Sequence, residues 1–96
     1  MVNNFKKNNN EILKDKCLEH LGGKMCAVCG VRGLPTCCYD FHHKNGNKDD
    51  DISKMIARKR ILDQELINEV NKCAVLCANC HRQITAGIIK LQSSIQ

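Results

Sequence analysis

The stretch "KCAVLCANCHR", Lys72 to Arg82, decides how this chain is built. It begins as a short apolar run, closes on Cys77-x-x-Cys80, and places His81 directly after the last cysteine. A second pair, Cys26-x-x-Cys29 in "CAVC", lies far upstream, with residues 30–76 between the two. C-x-x-C is the spacing with which two thiolates from one tight turn grip a single ion. Two such pairs fill a tetrahedron of the kind that holds structural Zn²⁺. An ion held by Cys26, Cys29, Cys77 and Cys80 would tie together distant parts of the chain, which is where a small domain gains most from a clip.

Length and composition say that such a clip is needed. Ninety-six residues make one domain, 1–96, and a chain this short buries only about 60–65% of its unfolded surface. Its aromatic residues are Phe5, Tyr39 and Phe41, and it has no Trp. Eight cysteines are many for this length, so a disulfide framework or a metal is expected to staple the core. The leading "MVNNFKKNNNEILKDK" carries no apolar stretch and no small-residue cleavage site, which reads as no signal peptide. No run approaches the roughly 18 apolar residues of a membrane span. Both readings point to the cytoplasm, where thiols stay reduced and paired cysteines bind metal more often than each other. Of the other four, Cys17 and Cys73 fall in apolar patterns and are expected to pack as small hydrophobes. Cys37 and Cys38 are adjacent and make a poor chelating pair, because neighbours on a strand point to opposite faces.

The remaining pattern is that of a small α+β fold with flanking helices. Residues 1–9 are Asn- and Lys-rich and are expected to be frayed. A helix over 10–22 is predicted, with Asn10 as its cap, Ile12, Leu13, Cys17, Leu18 and Leu21 at helical spacing, and Gly22-Gly23 as its stop. Gly30, just after the first cysteine pair, suits a backbone position with φ > 0. "TCCYDFHH" reads as a strand, and "KNGNKDDD" as a polar loop with an Asn-Gly turn signal. "DISKMIARKR" predicts a short helix capped by Asp51 or Ser53. "LDQELINEVNK" predicts another, with Leu62, Leu66, Ile67 and Val70 on one stripe. "CAVL" is extended, and "HRQITAGIIKL" is a helix ending near Gly87. There is no internal repeat.

Chemistry concentrates on the histidines. His42 and His43 end the predicted strand, and His81 opens the last helix. A clip joining the two cysteine pairs would draw His81 toward the strand end. Two imidazoles could then share a second ion and leave the third histidine free as a general base. The net charge of +5 permits a nucleic-acid partner without requiring one.

Taken together, "CAVCG…YDFHHKNG…KCAVLCANCHR" resembles the HNH endonuclease family, in the zinc-stapled form met in phages and mobile elements. The resemblance runs over residues 24–87. It implies a ββα-metal core, a hairpin and a helix around one catalytic divalent ion, and cleavage of DNA phosphodiester bonds to 5′-phosphate and 3′-hydroxyl ends. Carried over residue by residue, it makes His42 and His81 the ligands of the catalytic ion (Mg²⁺, Mn²⁺, Ni²⁺ or Zn²⁺) and His43 the catalytic base. Two imidazoles leave positions open for water and phosphate oxygens. Lys44 and Arg82 flank this site and are expected to hold phosphates beside the cut. Lys54 and Arg58, one turn apart, are expected to track the DNA backbone, giving low sequence specificity.

The chain departs from the family pattern at two positions. The place of the family's middle Asn holds Lys72, with Asn71 beside it, which leaves open what orients His43. The place of a third imidazole, one turn after His81, holds Thr85. Asp40, two residues before His42 on the same strand face, is a candidate partner for a ligating histidine or a substitute ligand. The rival reading is a non-catalytic zinc-knuckle module that binds DNA or assists phage packaging. The sequence leaves open whether a second copy or a packaging machine is a partner, whether one strand is cut or two, and which role a bacterial or phage-infected cell gives the domain.

Overall fold

The computed structural model describes residues 8–44 and 48–91. Helix α1 (Asn9–His20) is followed by the first cysteine turn, a single 3₁₀ turn (Thr36–Cys38) and strand β1 (Tyr39–His43). Helices α2 (Ile52–Arg58) and α3 (Gln64–Val70) come next, then β2 (Cys73–Cys77) and α4 (Ala78–Thr85). Among the described residues the architecture is α+β, four helices around one two-stranded antiparallel sheet. Among the described residues, no helix is long and apolar enough to cross a membrane. The expected fraying of residues 1–9 and the Asn-Gly turn lie largely outside the described residues, although Asn8 caps α1 and Asn9 is its first residue.

Local chemistry explains where the elements begin. Asn8, not Asn10, caps α1: its side-chain oxygen accepts the backbone N–H of Glu11 at 2.9 Å. Three asparagines in a row are equivalent caps by type, and Glu11 three residues beyond Asn8 completes the favoured cap spacing. The stop is as expected: Gly22 and Gly23 take φ of 104° and 111°, and the Gly23 N–H closes on Leu18 O at 2.8 Å. Asp63 caps α3 through the Leu66 N–H. Asp51 precedes α2 but makes no side-chain cap bond, because its carboxylate is drawn to Lys48 and Lys54.

The predicted strand "TCCYDFHH" is shorter than its composition suggests. Pro35 leads into a 3₁₀ turn closed by Cys38 N–H to Pro35 O, and the Thr36 hydroxyl donates to Asp15 on α1. The ladder therefore starts at Tyr39, and Cys37 and Cys38 lie off the strand. From there β1 pairs with β2 in a register that sets Tyr39 opposite Cys77, Phe41 opposite Val75 and His43 opposite Cys73.

The sheet separates two packed regions. On one side α1, α2 and α3 enclose Leu13, Cys17, Ile52, Met55, Ile56, Leu66, Val70 and Cys73. On the other, Leu76 is buried with Cys26, Cys77 and Cys80. Tyr39 joins them with Leu18 and Val75. It has no exposed surface, and its hydroxyl faces the carbonyls of Lys24 and Val31 and the Leu34 N–H at 3.2–3.3 Å. Burying such a ring is worth about 2–3 kcal/mol, and its polar tip stays satisfied.

Candidate metal centre and histidine cleft

The two cysteine pairs meet at the edge of the sheet. Residues 26–29 form a tight turn closed by Gly30 N–H to Cys26 O at 2.9 Å, and Gly30 takes φ of 77° as the sequence predicts. Ala27 N–H donates to Val75 O at 2.8 Å, so this turn leans on β2. Cys77 ends β2 and serves as the N-cap position of α4, accepting the Cys80 N–H on its sulfur at 3.5 Å.

The four sulfurs lie within 4.8 Å of one another, and Cys29 and Cys77 are 3.8 Å apart. A zinc–sulfur bond of about 2.3 Å sets the corners of its tetrahedron about 3.8 Å apart. The spacing fits a metal such as zinc. The electrostatics agree. Burial opposes ionisation of Cys26, but the backbone amides of Cys29, Cys77 and Val28 outweigh it and bring the thiol down to about 6. Burial, and then the neighbouring sulfurs of Cys77, Cys26 and Cys29, push Cys80 up to about 12. Four sulfurs this close cannot all ionise without a cation between them. Cys17 and Cys73 behave differently: burial alone pushes Cys17 up to about 11, and burial followed by Glu69 pushes Cys73 up to about 12. Both are inert packing thiols.

Asp40, His42, His43 and His81, the last of them next to Cys80 in the chain, all line a cleft of about 840 Å³. His42 and His81 meet edge to face, their ring centroids 5.6 Å apart. An ion about 2.1 Å from a ring nitrogen sits roughly 3.2 Å from that ring's centroid, so two rings can share one ion only below about 6.4 Å. These two satisfy that limit. His81 Nδ1 lies 3.0 Å from Asp40 Oδ2, so the carboxylate accepts its N–H and leaves Nε2 as the ring's lone-pair nitrogen. Burial, then the nearby rings of His81 and His43, push the His42 pKa down, which keeps its lone pair available.

His43 has a different partner, and the sequence reading missed it. Its Nε2 lies 2.8 Å from Oε2 of Glu69, a residue only 5% exposed on the inner side of α3. The same carboxylate accepts the N–H groups of Asp49 and Asp50 and pairs with Lys72 Nζ at 3.0 Å. Burial works to raise the Glu69 pKa, but Lys72, the Asp49 amide, His43 and the Asp50 amide together hold it at about 2. One signal for this was present: Glu69 falls three residues after Leu66 and beside Val70, on the apolar stripe of its helix. Asn71 turns the other way and bonds His20 Nε2 at 2.8 Å.

The cleft is lined by cations other than those singled out in the sequence. Lys44, Lys54, Arg58 and Arg82 do not line the cleft, whereas Lys14 and Lys48 do. Arg58 is paired with Asp50, and Lys54 with Asp51. Thr85 lies exposed at the end of α4. Compared with family models, curated proteins and solved structures, the chain matches none.

Proposed function

We propose that this domain is a metal-dependent endonuclease of the HNH type that hydrolyses DNA phosphodiester bonds with low sequence specificity. One observation carries the reading: three histidines from β1 and α4 converge on one cleft, and two of them are held by carboxylates through a single ring nitrogen. A domain that only binds DNA has no use for an imidazole buttressed in this way beside a pair of ligands.

His42 and the Nε2 of His81 would hold the divalent ion, Mg²⁺, Mn²⁺, Ni²⁺ or Zn²⁺. Imidazole donors suit the last three better than Mg²⁺. When bound, the ion supplies positive charge to the phosphate and to the departing oxygen. Asp40 fixes the His81 ring and raises its basicity. His43, tied at Nε2, keeps Nδ1 for the proton of the attacking water. Lys14 and Lys48 stand in the cleft wall where phosphate oxygens would lie, and Lys44, Lys54, Arg58 and Arg82 serve the DNA backbone outside it. The four-cysteine centre carries a structural zinc that fixes α4, and so His81, against β1.

The test is conversion of supercoiled plasmid to nicked or linear forms, with and without each ion, followed by end analysis. Cleavage that needs the ion and leaves 5′-phosphate and 3′-hydroxyl ends is expected. Retarded but uncut plasmid with every ion would overturn the reading in favour of a DNA-binding module.

A further inference from the structure

We infer that Glu69 is a positioning residue: its carboxylate locks His43 in the Nε2–H tautomer and fixes the Asp49–Asp50 segment against the same ring. The inference rests on the endonuclease reading only for the use made of the free nitrogen. It begins from an oddity of packing. Glu69 is the one charged side chain buried among the described residues. A buried carboxylate is costly unless its lone pairs are filled. Here Oε2 receives His43 Nε2 at 2.8 Å and the amides of Asp49 and Asp50 at 3.0 and 3.4 Å, while Oε1 receives Lys72 Nζ at 3.0 Å.

Three of those four donors are an ammonium and two backbone amides. The fourth, an imidazole lining the cleft, has a chemical consequence. An ionised carboxylate accepts and never donates. The shared hydrogen must therefore sit on His43 Nε2, and a neutral ring then carries its lone pair on Nδ1 alone. The Asp49 and Asp50 amides bring a second consequence. They belong to the segment between Lys48, which lines the cleft, and α2. One carboxylate thus sets both the orientation of the ring and the position of the chain beside it. Asn71, which the family pattern brings near this job, is occupied by His20.

The experiment is long-range ¹H–¹⁵N NMR of the His43 ring in the zinc-loaded full chain at alkaline pH, paired with plasmid-nicking kinetics. Wild type is expected to show one tautomer, Nε2–H. Glu69→Ala should show both tautomers and lower kcat about 10- to 100-fold, the usual cost of losing a residue that orients a site, with KM for DNA little changed. Glu69→Gln, which keeps an acceptor oxygen at the same place, should retain most of the tautomer preference and part of the rate. A folded Glu69→Ala protein that keeps the single Nε2–H tautomer, or wild-type kcat, overturns the inference. If Glu69→Ala does not fold, Glu69→Asp withdraws the carboxylate by one methylene, and an unchanged tautomer there overturns it equally. If wild type cuts no DNA with any ion, the endonuclease reading fails, and the tautomer of His43 still decides the role of Glu69.

Discussion

The two sides of the hairpin are held by different kinds of force. On the helical side, eight buried residues from three helices and β2 interlock, and six of them are Leu, Ile, Val or Met. On the thiol side, the buried cluster is Leu76 and three cysteines, with only half-buried Val31, Leu34, Ile84, Ile89 and Leu91 around it. The helical side can rely on area removed from water. The thiol side has less of it, and its four sulfurs are spaced so that they could hold a metal such as zinc. The cleft lies on both: Asp40 and His81 belong to the thiol side, and His43 and Glu69 to the helical side.

The largest expected effect breaks that contrast open. Cys26→Ser or Cys77→Ser, or treatment with a strong chelator, should unfold the thiol side and release α4, because structural zinc contributes about 10–16 kcal/mol in small metal-folded domains. Hydrogen exchange should rise first in residues 26–32 and 74–85, while α1 to α3 keep residual protection. Uniform loss, or no loss with the four thiols freely titratable and no zinc in the protein, would show that the two sides are not held differently.

Next in size, His43→Ala should lower cleavage by about 10²- to 10⁴-fold with metal and DNA affinity nearly intact. His42→Ala and His81→Ala should instead lose the catalytic ion and recover partly at high metal concentration. Calorimetric metal titration separates the two classes, and normal metal binding by His42→Ala would make Asp40 the next candidate ligand. On the helical side, Leu66→Ala should cost about 2–5 kcal/mol by urea unfolding while zinc content stays full. A zinc loss matching the stability loss would mean that the two sides fold as one.

Acid gives a smaller effect confined to the helical side. The Glu69 pKa falls from an ordinary 4.5 to about 2 on folding, so its stabilisation is fully present above about 4.5 and is lost as pH drops toward 2. The gap in urea midpoint between wild type and Glu69→Gln should therefore narrow across that window. A constant gap would contradict the paired carboxylate. Smallest of all, Lys54→Ala and Arg58→Ala should each weaken DNA binding slightly, on all sequences alike, and flatten its salt dependence. Both cations already face aspartates, and loss of binding on one sequence only would refute a backbone role.

The thiol side was almost wholly legible in the sequence, because its information is local: two C-x-x-C spacings, a glycine suited to positive φ, a histidine adjoining a cysteine. Most helices were legible too, through apolar stripes and glycine stops. What failed was decided by competition between near-equals or by distance. Asn8 and Asn10 are the same residue type, and the helix register chose between them. Thr36 has strand character, but Asp15, twenty-one residues earlier, takes its hydroxyl into a turn. Glu69 escaped because a single acid on an apolar stripe reads as a tolerated charge until His43, twenty-six residues away, is seen against it. Lys14, which the sequence reading did not single out, lines the cleft from α1.

Cys77 closes β2 and opens α4, and Cys80 and His81 follow within one turn. Seen in the order of synthesis, this makes the domain a late starter. Seven of the eight buried residues of the helical side precede β2, whereas Cys26 and Cys29 wait for their partners until the last pair appears. A product that stops short of Cys80 has neither a complete thiol set nor the third histidine. The same few residues that complete the thiol set also complete the cleft, so an unfinished chain lacks both at once.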